Sequence, residues 1–273
     1  MSAVAQDLGS AVARVEARIR GYGARAVVAF SGGVDSSVVL ALAARALGAG
    51  AVEAVTALSP SYPAGELELA VRTAAALGVT HRTVRTHEVE REAYARNDEL
   101  RCFHCKAELY AALGRIAREA GGAVVLAGAI ADDLGDVRPG LRAGELAGVR
   151  NPLLEEGLGK AEVRAIAREL GLEVADKPAL ACLSSRVRTG LRITPELLAR
   201  IDRAERLVRG LGFELVRVRH RGELATVEVD PAEVTRLLAH PGLAGVLAQI
   251  RSLGWREVRV DPDGYRQGAA RMA

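Results

Sequence analysis

Residues 27–37, VVAFSGGVDSS, constrain the fold of this chain more than any other stretch. A short apolar strand, Val27 to Phe30, runs into Ser31-Gly32-Gly33-Val34-Asp35-Ser36-Ser37 and then into a helix with apolar residues at helical spacing. That order builds an anion site. Glycines let the backbone turn tightly and bring amide hydrogens against phosphate oxygens, while the first amides of a new helix lack carbonyl partners and carry partial positive charge. Ser31, Ser36 and Ser37 add hydroxyl donors. No lysine lies in the turn, so it is not the G-x-x-x-x-G-K-S/T loop, and the G-x-G-x-x-G fingerprint is absent as well. An ordinary Gly-Ser turn would account for a lone Gly-Gly, but not for the whole series between a strand and a helix.

The alternation of strand and helix continues on both sides. Val4, Leu8, Val12, Val15 and Ile19 predict an amphipathic helix over 3–20. After the loop, Val38, Val39, Leu42 and Leu47 carry a helix that Gly48 ends; a strand follows from Val52 to Leu58, then a helix over 64–77 and a strand near Thr80 to Thr86. A polar stretch containing Arg101-Cys102-Phe103-His104-Cys105-Lys106 precedes a helix that runs to Ala120, and Ala123 to Ala127 reads as the strongest strand. The pattern predicts an α/β domain with a Rossmann-like parallel sheet covered on both faces and ligands at the carboxyl ends of the strands, at Phe30, Leu58 and Gly128. Gly128 opens GAIADDLGDVRPGLRAG, a loop too long and polar for a simple connection. Asp132, Asp133, Asp136 and Arg138 are therefore candidates for Mg²⁺, ribose or substrate contacts, against the alternative of a solvated acidic turn.

From Thr194 the character changes. Thr194-Pro195-Glu196 caps a helix to about Leu211, two alternating runs (214–221 and 224–230) meet at Arg221-Gly222-Glu223 in a hairpin, and a helix over 243–253 precedes a last strand, Trp255 to Val260. This is a small α+β C-terminal domain. The expected division is 1–180 for the nucleotide domain and 181–273 for substrate binding and oligomerisation.

Composition excludes several classes. Net charge is only +3, spread without a basic tail, so nothing demands nucleic acid. No run approaches the ~20 apolar residues of a membrane helix. Arg14, Glu16, Arg18 and Arg20 stand where a signal peptide would be apolar, which points to a cytoplasmic enzyme. All but three of the 37 basic residues are arginine; the lysines are Lys106, Lys160 and Lys177. A lysine kept in such a chain is a candidate for a role that needs its compact amine. Three cysteines, Cys102, Cys105 and Cys182, disfavour a disulfide framework and favour metal or thiol chemistry.

The S-G-G-x-D-S turn resembles the pyrophosphate loop (PP-loop) of the ATP pyrophosphatases. Taken with Arg101-Cys102-Phe103-His104-Cys105-Lys106, the Gly128 loop and Lys177-Pro178-Ala179-Leu180-Ala181-Cys182-Leu183-Ser184-Ser185-Arg186, the chain resembles the LarE family over about residues 10–230. The resemblance implies a PP-loop sulfur transferase that adenylates a carboxylate of pyridinium-3,5-biscarboxylic acid mononucleotide and installs sulfur for the nickel-pincer nucleotide of lactate racemase. It also implies a homohexamer. Ile130 departs from the family, which usually has a polar residue there, so its side chain is not assigned to ligand.

The implied roles fall on definite positions. Ser31, Gly32, Gly33, Asp35, Ser36, Ser37 and Gly128 would bind ATP, with Asp35 helping to place Mg²⁺ or the loop. In the family, the cysteine matching Cys182 is a sacrificial sulfur donor in some members. Others hold a [4Fe-4S] cluster on three cysteines, with one iron left to carry sulfide from an external donor. Cys102, Cys105 and Cys182 match that set, and the cluster is the favoured route here. A cationic neighbourhood including Lys177 and Arg186 would favour a Cys182 thiolate. The competing readings are a structural Zn²⁺ on the cysteines and His104, or three unlinked thiols.

Arg217, Arg219 and Arg221 alternate along one strand face. By resemblance Arg217 and Arg219, with Ser185, would bind the nucleotide phosphate; Arg186 and Arg138 complete the candidate substrate contacts. The alternative is an exposed basic face matched by Thr226, Glu228 and Asp230 across the hairpin. Glu205 could hold a metal, but near Arg203 and Arg206 on a helix it reads rather as a solvated salt-bridge residue. His81, His87, His220 and His240 show no ligand spacing and read as surface or packing residues. A tRNA thiolase and an ATP-sensing module are the rival functions. An aromatic content of 3% gives the first little for base stacking.

Overall fold

The computed structural model describes residues 3–135, 139–178 and 181–266. In chain order the elements are α1 (Ala3–Tyr22), β1 (Ala26–Ala29), α2 (Val34–Leu47), β2 (Val52–Leu58), α3 (Glu66–Ala76), β3 (Thr80–Arg85), α4 (Glu92–Ala95), α5 (Arg101–Glu119), β4 (Val124–Leu126), α6 (Pro139–Leu146), α7 (Pro152–Glu155) and α8 (Lys160–Glu169). They continue with α9 (Pro195–Arg209), β5 (Val216–Arg221), β6 (Leu224–Val229), α10 (Val234–Leu238), α11 (Leu243–Ser252) and β7 (Glu257–Val260). The chain forms two compact units: residues 1–59, 65–88 and 102–180, and residues 60–64, 89–101 and 181–273.

The first unit is built on a parallel sheet in the order β3-β2-β1-β4. Side chains alternate along β1, so Ala26 and Val28 face one layer and Val27 the other. The first layer joins Val15 and Ile19 of α1, Val38 and Leu42 of α2, and Val163 and Ile166 of α8. The second joins Val55 of β2 to Tyr110, Leu113 and Ile116 of α5. Burial on both faces is why β1 is an unbroken apolar run rather than an alternating one. β3, at the edge, is exposed and carries Arg82 and Arg85. β1 has β2 on one side and β4 on the other, so the chain reverses its direction across the sheet at β1, where α/β sheets open a crevice.

Two local expectations differ. The strand expected over 123–127 is only Val124–Leu126, because the chain beyond it pairs with Arg150 instead: Ala127 N donates to Arg150 O and Arg150 N to Val125 O, both at 2.9 Å. The Cys102–Cys105 stretch, expected ahead of a helix, forms the first turns of α5.

The second unit carries the sheet β5-β6-β7, antiparallel between β5 and β6 and parallel between β6 and β7. Thr194 Oγ1 accepts from Leu197 N at 3.2 Å and caps α9, with Pro195 at its first position. Residues 89–101 are drawn in by Asn97, which is fully buried at φ 56°. Its amide donates to Arg188 O (2.9 Å) and Leu191 O (3.0 Å).

Candidate active site

Ser31-Gly32-Gly33 turns from the carboxyl end of β1 into α2, with Gly33 in extended backbone at the helix cap. The first helical bond runs from Ser37 N to Gly33 O at 3.0 Å. The amides of Val34, Asp35 and Ser36 precede it and are the orphan donors of a helix start. Ser36 Oγ and Ser37 Oγ both donate to Gly33 O, at 3.0 and 2.9 Å, and Ser36 Oγ lies 3.1 Å from Ser31 Oγ. These hydroxyls shape the turn, which leaves backbone amides as the principal anion donors. Gly128 stands where β4 passes the start of α2. A Cβ there would lie 2.8 Å from Ser36 N and 2.9 Å from the Asp35 carbonyl carbon, so only glycine lets the two backbones approach.

Asp35 is gripped from α8. Lys160 Nζ donates to Asp35 Oδ1 at 2.7 Å and to Oδ2 at 2.8 Å, and both side chains are about 30% exposed. Lys160 N in turn donates to Asp132 Oδ2 at 3.3 Å. Asp133 Oδ2 accepts from Ile130 N at 3.1 Å, and Ile130 is packed into the core, which accounts for an apolar residue at that position. Asp136 and Arg138 lie outside the described residues. Behind the loop, Thr56 Oγ1 donates to Phe30 O (2.7 Å) and contacts His81 Nε2 (2.8 Å); burial lowers the His81 pKa.

A second polar centre lies in the other unit. Arg186, 2% exposed, donates through Nε and Nη2 to the two oxygens of Glu205 (2.8 and 3.3 Å) and through Nη1 to Ala181 O, Cys182 O and Ser185 Oγ. Glu205 also accepts from Arg209 Nη2 (2.8 Å) and Val218 N (3.1 Å). The solvated reading of Glu205 is thus corrected: it is fully buried because it shares the core face of α9 with Leu198, Ile201 and Val208. Burial pushes its carboxyl up, but Arg186, Arg209 and Arg217 outweigh that and hold it below the usual carboxylate range.

Arg217 and Arg219 are buried, not on an exposed basic face. Arg219 donates to Glu228 Oε2 (2.9 Å), diagonally across the hairpin, and to Ser185 O (3.0 Å). Arg217 donates to Val216 O at 2.9 Å, and burial, then Arg186, lowers its pKa to about 10. Burial raises the Glu228 carboxyl despite Arg219. Among the described residues, Arg186, Arg209, Arg217 and Arg219 gather around Glu205 and Glu228, a cluster of guanidinium groups suited to an anion.

Cys102 and Cys105 are three residues apart on α5 and so share one face; Cys102 is exposed and Cys105 partly so. Cys182 belongs to the other unit, at the cap of the short turn Leu183–Arg186. Within neither unit, among the described residues, do three or more His, Cys, Asp or Glu side chains gather as a metal site. His104 Nε2 is buried without a hydrogen-bond partner among the described residues. Lys177, expected near Cys182, is bonded to Glu66 within the first unit.

Residues 8–178 match the asparagine synthase family model. An uncharacterized Synechocystis protein is 42% identical over 244 residues, covering 89% of this chain and 91% of its own length. The pyridinium-3,5-bisthiocarboxylic acid mononucleotide synthase of Lactiplantibacillus plantarum is 37% identical over 244 residues, covering 89% and 88%. The chain belongs to the LarE family. It is a PP-loop, ATP-dependent sulfur transferase. An uncharacterized Methanocaldococcus jannaschii protein is 24% identical over 243 residues, covering 88% and 90%. In this LarE-family chain the fold brings Ser31 to Ser37 together with Gly128, and separately joins Ser185, Arg186, Arg217 and Arg219. Sequence reasoning missed Lys160 as a site residue; its one signal is the survival of a lysine in an arginine-rich chain.

Proposed function

We propose that the protein adenylates a carboxylate of pyridinium-3,5-biscarboxylic acid mononucleotide, releases pyrophosphate, and converts the acyl adenylate to a thiocarboxylate for the nickel-pincer cofactor of lactate racemase. The observation that carries this reading is the glycine-serine loop at the sheet's reversal point, with Asp35 held by Lys160 on its first helical turn. The name of the L. plantarum relative, a pyridinium-3,5-bisthiocarboxylic acid mononucleotide synthase, supports the product class.

A carboxylate is a poor electrophile until its oxygen attacks the α-phosphorus of ATP. The bond from that phosphorus to the bridging oxygen then breaks, and charge grows on the departing pyrophosphate. The amides of residues 32–37 stabilise that charge without a covalent enzyme step. Asp35 is the carboxylate suited to Mg²⁺, which when bound neutralises phosphate charge, and Lys160 adds an ammonium beside the loop. A sulfur nucleophile next attacks the activated carbonyl carbon, and AMP leaves with the bonding pair. Arg217 and Arg219 hold the substrate phosphate as planar forks, with the Ser185 hydroxyl as a further donor and Arg186 adding positive charge beside them.

Cys102, Cys105 and Cys182 would ligate a [4Fe-4S] cluster, which when bound supplies a place for the sulfide to be transferred. The pairing of Cys102 and Cys105 on one helix face fits two thiolate ligands. A second route has its own support: Arg186 ties the Cys182 backbone into the substrate-phosphate centre, so the Cys182 thiolate could displace AMP to form a thioester, after which loss of its Cα proton to a base and cleavage of Cβ–Sγ would leave the thiocarboxylate and dehydroalanine. The account extends to a cytoplasmic homo-oligomer, a hexamer by resemblance, with residues 1–180 as nucleotide domain and 181–273 as substrate domain.

The test is the replacement of a carboxylate oxygen by sulfur, read by mass spectrometry, beside iron and acid-labile sulfide content of wild type and Cys102→Ala. Product formation with a cluster lost in the variant supports the first route. Product formation with Cys182 converted to dehydroalanine and no cluster supports the second. No sulfur in the product contradicts both.

A further inference from the structure

β7 ends at Val260, yet the chain goes on following β6. Asp261 N donates to Val227 O at 2.8 Å and Tyr265 N to Val229 O at 2.7 Å, so residues 261–265 track the far end of that strand. The turn between them is built: Asp261 Oδ1 accepts from Asp263 N at 3.0 Å, and Asp261 O accepts from Gly264 N at 3.2 Å. Gly264 makes the crossing possible. Its φ is 70°, and a Cβ there would stand 2.8 Å from both Val229 O and Pro231 Cα, backbone atoms that cannot step aside.

The consequence is where the next side chain lands. The Tyr265 ring centroid lies 5.5 Å from the guanidinium carbon of Arg217 and 5.7 Å from that of Arg219. Two buried like charges on one strand face repel, and the electron-rich face of an aromatic ring offsets part of that repulsion. Packing alone would be served as well by an aliphatic side chain.

We infer that Tyr265 is a positioning residue of the substrate site: its ring holds the Arg217 and Arg219 forks together, ready to receive a phosphate monoester. This rests on the reading that those two arginines bind the substrate phosphate. Arg219 is also tied to Glu228 and Ser185 O and Arg217 to Val216 O, and the shared ring adds to those separate ties a link between the two forks, both of which a doubly charged phosphate needs at once.

The experiment measures the dissociation constants of inorganic phosphate and nicotinic acid mononucleotide, a pyridinium nucleotide probe, on the full-length protein. Tyr265→Phe keeps the ring, Tyr265→Leu keeps apolar bulk without it, and Arg219→Gln removes one fork. The expected result is near-normal binding by the Phe variant, binding weakened roughly tenfold in the Leu variant, and unchanged ATP affinity in both. Normal phosphate binding by the Leu variant, with binding lost in Arg219→Gln, would overturn the role of Tyr265 alone. Normal binding by Arg219→Gln would instead overturn the phosphate reading on which that role rests.

Discussion

Lys160 Nζ lies within 2.8 Å of both carboxylate oxygens of Asp35, a two-point grip that joins the start of α8 to the first turn of α2. A cation held there serves two states. In the proposed reaction it would neutralise Asp35 before ATP binds and would supply an ammonium beside the phosphates once Mg²⁺ competes for the carboxylate. Lys160→Met should still fold, since an acidic residue in a first helical turn is favourable by itself. Its rate of pyrophosphate release should fall roughly 10²- to 10³-fold. Steady-state kinetics across a Mg²⁺ titration checks this. Wild-type turnover at every Mg²⁺ concentration would remove Lys160 from the mechanism.

Gly128→Ala should be costly for a different reason. The added carbon meets backbone of α2 at 2.8 and 2.9 Å, where no rotamer change relieves it. Overpacking of this kind costs about 1–3 kcal/mol, and the shift falls on the amides proposed to hold phosphate. Calorimetry should show a lower melting temperature together with weaker ATP binding. A drop in only the first would make Gly128 a packing residue.

Glu205→Leu leaves Arg186 buried without its carboxylate. Breaking one side of such a pair typically costs about 3–5 kcal/mol, which urea unfolding would measure. An unfolding midpoint equal to wild type would mean that Arg186 finds another partner.

How much of this was open to sequence reading depended on the kind of signal. β1, β2 and the loop between β1 and α2 are legible, because strands buried on both faces are short apolar runs and the glycines mark the turn. The start of α5 is less so, since Phe103 is the one large apolar residue between Arg101 and Lys106 and the denser apolar period begins with Leu109 and Leu113. Glu205 misleads through its arginine neighbours, although it lies four residues after Ile201 and three before Val208, the spacing of a buried face. The recruitment of Asn97 into the second unit depends on side-chain to backbone bonds far apart in the chain, which no local pattern announces.

Acid should weaken the first unit through His81. Burial lowers its folded pKa below the ordinary 6.5, so the folded chain resists a proton that the unfolded chain accepts. Its contribution is intact above about pH 6.5 and falls as pH drops through that value toward the folded pKa. His81→Gln, which retains a donor for Thr56, should lose less stability than wild type between neutral pH and the mid-acid range. Parallel melting curves at several pH values would show it, and identical pH profiles would exclude His81 as a contributor.

The most direct measurement is the nucleotide product. Protein, Mg-ATP, sulfide and pyridinium-3,5-biscarboxylic acid mononucleotide should yield AMP and pyrophosphate in equal amounts, with neither formed when the mononucleotide is omitted. ADP and phosphate, or AMP formation indifferent to the mononucleotide, would contradict carboxylate adenylation at this loop.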